Sequence, residues 1–186
     1  MTLVLRPLLL LLLPLCLLGA TGAAARNPST LALDGYSSIA LTRMKTGHLT
    51  LQARINGVTG RFVLDTGAGR SVIEASRHAK FGLARIEASR GVAVGAGGSQ
   101  PLRMSHGNRL QIGRYVDYGF TAYLMPLEQV NLAFLRRGHE RIDGVIGADV
   151  LRSGHAVIDY ASGTLHLKPK ATSSTPTNHA TETAQR

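Results

Sequence analysis

The stretch Phe62-Val63-Leu64-Asp65-Thr66-Gly67-Ala68 sets a lone carboxylate at the end of an apolar run and follows it with a hydroxyl and a glycine. A strand of Phe, Val and Leu reads as buried, so Asp65 is expected half inside the protein, where a charge needs donors or a partner. Thr66 supplies a hydroxyl, and Gly67 lets the backbone turn sharply enough to bring its N–H to the carboxylate. Two readings are open: a carboxylate held for acid–base chemistry, and an Asx-turn in which Asp65 only caps its own loop. A triplet of these types arises by chance in about 3% of chains this long, so the surrounding pattern has to decide.

Other reactive groupings are weaker. The histidines, His48, His78, His106, His139, His155, His166 and His179, show no H-x-x-x-H spacing, so no metal site is expected. Gly-x-Ser-x-Gly and phosphate-loop lysine motifs are missing from the sequence, which leaves no serine-hydrolase or nucleotide reading and no cofactor. Met44, Met104 and Met125 read as packing residues.

The elements that must position Asp65 are mostly strands. From Ser37 the chain alternates apolar and polar residues, broken at Thr46-Gly47 and Asn56-Gly57. This pattern predicts a three-strand meander over Ser38–Lys45, His48–Ile55 and Gly60–Leu64. Ser71 to Phe81 reads as a short helix with Ser71 as N-cap, Glu74 completing a capping box and Gly82 ending it. The glycine-rich run Gly91–Gln100 suits a mobile hairpin. Strands are expected at Asn108–Ile112 and Tyr118–Leu124 around Gly113, and a helical or irregular stretch at Pro126 to Arg137. A strand Gly144–Ile146, a helix beginning near Ala148, and a hairpin of Ala156–Asp159 with Thr164–Leu167 complete the domain. Short, closely spaced strands with few helices predict a mostly antiparallel barrel or sandwich, not a βαβ fold.

Composition bounds the setting. Arg6, a Leu-rich run to Leu18 and the small residues Ala23-Ala24-Ala25 read as a secretory signal over 1–25. Residues 7–25 are also long and apolar enough to persist as a membrane anchor. The expected division is then a signal at 1–25, a linker at 26–36, one domain at 37–168 and a disordered Thr/Ser/Ala-rich tail at 169–186. Cys16 lies in the signal, so the mature domain is expected to hold together without disulfides. The chain has 21 Lys and Arg against 11 Asp and Glu, a net charge of +10 that becomes +9 without Arg6. This basic charge favours acidic partners such as anionic envelope surfaces. The cations are scattered and aromatics are few, so nucleic acid is not an expected partner.

The order of these parts resembles the retropepsin-like aspartic proteases. Their half-molecule has an apolar strand, Asp-Thr-Gly-Ala, a glycine-rich flap, then two apolar residues and a glycine before a short helix. Here these are Phe62–Leu64, Asp65–Ala68, Gly91–Gln100, and Val145-Ile146-Gly147 before Ala148-Asp149-Val150-Leu151. The match spans about Leu49 to Leu167, and its closing run is similar to the bacterial secreted or membrane-anchored branch. Viral members usually carry a paired Asp and Arg where this chain has Gly69 and Ala148. Their joint absence leaves no unpaired buried charge. Asp149 fits the family's Asn or Asp after the second glycine, and by itself reads as a helix-start residue near the positive end of the macrodipole.

The resemblance implies a mainly β, single-lobe retropepsin-like barrel with one or two short helices. It also implies an aspartic endopeptidase acting on polypeptides. Such chemistry takes two carboxylates around one water, one accepting the water's proton and the other hydrogen-bonding the peptide carbonyl. This chain has one Asp-Thr-Gly: Asp34-Gly35 and Asp143-Gly144 lack the hydroxyl residue, and Asp117, Asp149 and Asp159 lack the glycine. A homodimer pairing two copies of Asp65 is therefore expected. Asp65 is the catalytic candidate, Thr66, Gly67 and Ala68 form the active-site loop, and Val92, Val94, Gly95, Gly97 and Gly98 form the substrate-binding flap. Export to the periplasm or beyond, with anchoring to the inner membrane as a variant, completes the reading. The alternative is a catalytically silent envelope module that keeps the fold for dimerisation or peptide binding.

Overall fold

The computed structural model describes residues 33–95 and 98–170, and side chains outside 89–101. Strands β3 (Leu49–Ile55) and β4 (Val58–Leu64) form a hairpin in register Leu49↔Leu64 to Ile55↔Val58. Asn56 and Gly57 close it with φ of 50° and 86°, the conformation an Asn-Gly hairpin turn requires. From β4 the pairing runs through β9 (Gly144–Ile146) and β5 (Val72–Glu74) to β8 (Tyr115–Met125) and β7 (Gly98–Ile112), and β7 pairs back with β3 through Ile55↔Leu110. These six strands close a barrel. Short β2 (Thr42–Arg43) pairs with β3, and β6 (Glu87–Gly95) pairs with β7. A separate three-stranded sheet has β11 (Thr164–Leu167) between β1 (Ser37–Ala40) and β10 (Val157–Asp159).

Alternation divides the strands between two apolar clusters. Leu51, Ala53 and Ile55 of β3, with Phe62 of β4, point into the barrel core, where Val150 and Leu151 of helix α2 (Ala148–Ser153) join them. Val63, Val72, Met44, Leu127, Phe134 and Ile142 form a second cluster on the other face of β4, covered by helix α1 (Glu128–Leu135). Burying one such large side chain contributes about 1.5–3 kcal/mol. β9 fits between β4 and β5 only because residue 144 is glycine: a Cβ there would stand 2.2 Å from the Val72 carbonyl oxygen.

The strands around Gly113, the helix within 126–137, strand 144–146 with its following helix, and the closing hairpin all form as expected. Two expectations are corrected. The first meander strand, expected over Ser38–Lys45, is split: Ser37–Ala40 turns away to pair with β11, and only Thr42–Arg43 reaches β3. The expected helix at Ser71–Phe81 is strand β5 followed by a single 3-10 turn, Ala75–Arg77. Val72 and Ile73 are β-branched and buried between β8 and β9, and that pairing outweighs a local cap. Glu74 is 3% exposed and its carboxylate accepts the N–H groups of Ser76 and Leu127. The barrel is mostly antiparallel, as expected, with two of its pairings, β4 with β9 and β5 with β8, parallel.

Candidate active site

Asp65 follows the last residue of β4, where its N–H still donates to the Ile146 carbonyl at 3.0 Å. The chain then leaves the barrel end, so Asp65, Thr66 and Gly67 are exposed in the single chain and Ala68 is half-buried. The expectation of a half-buried Asp65 is thus corrected, because the sheet ends before the carboxylate. Its Oδ1 accepts the N–H of Gly67 at 2.8 Å and of Ala68 at 3.2 Å. Among the described residues Oδ2 has no protein partner. A Cβ at position 67 would lie 3.3 Å from Oδ1, so glycine there keeps the carboxylate uncrowded. The turn is an Asx-type turn in geometry, and it holds one oxygen while leaving the other facing outward.

This loop is braced from behind. The Ala68 carbonyl accepts the Ala148 N–H at 2.7 Å. Ser71 is fully buried; its hydroxyl donates to Asp149 Oδ1 at 2.7 Å and accepts the Gly147 N–H at 2.9 Å. Asp149 also accepts the Ser71 N–H with both oxygens, at 2.9 and 3.0 Å. Gly147 allows this approach, since a Cβ would meet Ala68 and Arg70 backbone atoms at 2.7 Å. Asp149 does lie in the first turn of α2, but its carboxylate reaches across to the loop after Asp65, a stronger role than its expected interaction with the helix dipole. Ser71, expected as a helix N-cap, instead directly precedes strand β5. The signal that could have found it is the β-branched pair Val72-Ile73 directly behind it.

The flap residues lie on the β6–β7 hairpin, with Val92↔Pro101, Val94↔Ser99 and Gly95↔Gly98 paired and a register shift between Ala88 and Val92. Gly97 lies outside the described residues. Among the described residues no cluster of His, Cys, Asp or Glu could hold a metal, and no helix is long and apolar enough to cross a membrane.

A single-lobe closed barrel with an Asp-Thr-Gly turn at its end, braced by the Gly147–Asp149 segment, is the arrangement expected of a retropepsin-like aspartic protease domain. The sequence pattern of the family described as aspartyl protease matches residues 51–150, more than half of the chain, and the protein belongs to that family. Similar solved structures include a retropepsin-like aspartic protease from Rickettsia conorii, with TM-score 0.48 and 18% identity over 72% of this chain and 92% of that one. The EIAV protease in an inhibitor complex gives TM-score 0.45 and 17% identity over 60% and 91%. The retroviral protease-like domain of Ddi1 from Leishmania major gives 0.46 and 23% over 64% and 87%. No curated protein matches the chain.

Proposed function

We propose that this protein is an aspartic endopeptidase whose site is completed by a second copy of the chain, each copy supplying Asp65. The observation that carries the reading is the Asp65 turn itself: one carboxylate oxygen is fixed by Gly67 and Ala68 while the other faces outward at the barrel end. Membership of the aspartyl protease family and the presence of one Asp-Thr-Gly triplet in the chain support it. An isolated exposed carboxylate is too weak a base to activate water. Two brought together across a two-fold axis share a proton, because like charges so close do not both ionise. The ionised member takes a proton from the bound water as its oxygen attacks the peptide carbonyl. The protonated member hydrogen-bonds the carbonyl oxygen, and the amide nitrogen leaves with a proton from the pair. The Thr66 hydroxyls lie next to the axis in such an arrangement and hydrogen-bond across it.

The β6–β7 hairpin closes over an extended polypeptide, its backbone groups pairing with the substrate. The leader at 1–25 exports the chain to the periplasm or beyond, where residues 7–25 anchor it if they are not removed. The test is cleavage of an unfolded protein by wild type and Asp65→Asn from acidic to neutral pH, over a dilution series monitored by sedimentation. Cleavage that requires Asp65 and falls per chain as the dimer dissociates supports the proposal. Full activity in a monomer overturns the shared site, and peptide binding without cleavage by either form establishes a silent module instead.

A further inference from the structure

Three arginines meet on the outer face of the barrel, away from the Asp65 turn. Arg54 is exposed and lies between the core-facing Ala53 and Ile55, so it points outward from β3. Its register partner on β7 is Gln111, whose Oε1 accepts Arg109 Nη2 at 2.9 Å. The Arg109 guanidinium lies over the ring of Tyr118 on β8, 5.6 Å from its centroid, and Tyr118 is 62% exposed. Gln111 also donates to the Gly113 carbonyl at 3.3 Å. The next residue, Arg114, gives its N–H to Ser37 Oγ at 3.0 Å and its guanidinium to the Tyr36 carbonyl. Among the described residues none of the three guanidiniums pairs with a carboxylate: the ion pairs take Arg61, Arg77, Lys80, Arg141 and Lys170. Asp117, next to Tyr118, faces the other side of β8 by alternation and is held by Lys170.

We infer that this strip is a docking surface for an anionic phospholipid bilayer, the guanidiniums taking headgroup phosphates and Tyr118 resting at the interface. Three features select the occupant. The guanidinium fork fits a phosphate, and Arg109 is already held by an amide and a ring, so it loses little freedom on binding. An exposed tyrosine beside cations suits a bilayer interface, its ring against the lipid and its hydroxyl in water. The chain outside the structure also ends here: the described residues begin at Leu33, just before Tyr36, and the segment 26–36 spans at most about 40 Å even when extended. With residues 7–25 held in the same membrane the contact is intramolecular, so three arginines that would grip a bilayer weakly on their own suffice. Thr59, the register partner of Arg54 on β4, precedes Asp65 by six residues, about 20 Å of strand, and the docked domain keeps its Asp65 end clear of the lipid. The inference goes beyond the chemistry at Asp65 and does not depend on it.

The test is hydroxyl-radical footprinting of the full chain, held by its leader in nanodiscs of phosphatidylcholine alone or of phosphatidylcholine and phosphatidylglycerol in equal parts, with tyrosine oxidation read by mass spectrometry. Tyr160, 61% exposed at the β10–β11 turn of the separate sheet, is the internal reference. Oxidation of Tyr118 relative to Tyr160 is expected to fall about fivefold or more in the anionic discs and not in the neutral ones. It should recover in about 1 M salt, where the screening length drops to about 3 Å. Arg54→Glu combined with Arg109→Glu should erase the difference between the two discs. Because the salt series uses wild type alone, the result does not depend on the variant folding. Equal oxidation of Tyr118 in the two discs, or a difference that survives both salt and the double variant, overturns the inference. Protection by soluble polyglutamate in neutral discs, with none from the anionic lipid, also overturns it and makes an acidic polypeptide the partner. Cleavage is not read, so each of these outcomes leaves the endopeptidase reading to its own test.

Discussion

Two aspartates stand at opposite ends of the parallel pair β4 and β9, and their surroundings are opposite too. Asp143, just before β9, is 7% exposed, and its carboxylate accepts the Arg61 N–H at 3.0 Å and Lys80 Nζ at 2.8 Å, with Arg77 Nε at 3.6 Å. Its own backbone bonds to Arg61 and Glu74, so it ties β4, β5 and β9 together. Asp65, just after β4, is exposed, takes donors on Oδ1 alone and points the rest of its carboxylate outward. A carboxylate saturated by cations and N–H groups has no capacity left for chemistry, whereas one that is oriented but half-satisfied does. The contrast separates an acid that ties strands together from the one proposed for chemistry, although both precede or nearly precede a glycine.

Exchanging the two acids for neutral residues should therefore have opposite effects. Asp65→Asn keeps the turn, because an amide oxygen still accepts from Gly67 and Ala68. It should lower cleavage by about a thousandfold or more while thermal unfolding stays within about 0.5 kcal/mol of wild type. A variant that retains activity would remove Asp65 from the chemistry. Asp143→Ala strands the Arg61 N–H and leaves the part-exposed Lys80 and Arg77 without their acceptor, and should cost about 1–3 kcal/mol in denaturant unfolding. A loss under about 1 kcal/mol would mean that this acid is not the anchor described.

Smaller effects sharpen the comparison. Ser71→Ala strands the Gly147 N–H and part of Asp149, an expected loss of about 1–3 kcal/mol. Activity should fall as well, since the brace positions the Asp65 turn without touching substrate. Unfolding and kinetics on the same preparation would expose a brace that affects stability alone. The smallest effect is at the β10–β11 turn, where Asp159 is held below its ordinary 3.8 first by the Ser162 hydroxyl and next by the Ser162 N–H. A depressed carboxylate contributes stability that is present above the ordinary value and is lost as pH falls through the depressed one. Asp159→Asn should slightly flatten the acid limb of a stability profile below about pH 4 and leave neutral pH unchanged; an identical limb would remove that contribution.

Much of the frame is legible locally. The Asn56-Gly57 turn, the strand pair around Gly113 and the segment from Gly144 to the closing hairpin follow from residue types a few positions apart, because φ preferences and short hairpins are local properties. The failures are non-local. Ser71 and Glu74 fit a capping box, yet β8 claims Val72 and Ile73 from 51 residues away in register, and β9 claims them from 73 and 71. Ser37–Ala40 continues the alternation of the meander, but alternation is silent about which strand a strand pairs with. Asp149 carries the ordinary signal of a helix start, and its partner lies 78 positions earlier.

The linear chain thus settled which group is acidic, that its turn holds a hydroxyl and a glycine, and that it occurs once. These are matters of residue identity and order. The barrel's closure through β3 and β7 settled the rest: which acid is neutralised, what braces the other, and which face of β4 α1 covers. Those outcomes depend on contacts between distant segments, whose energies appear only when burial and pairing are satisfied together.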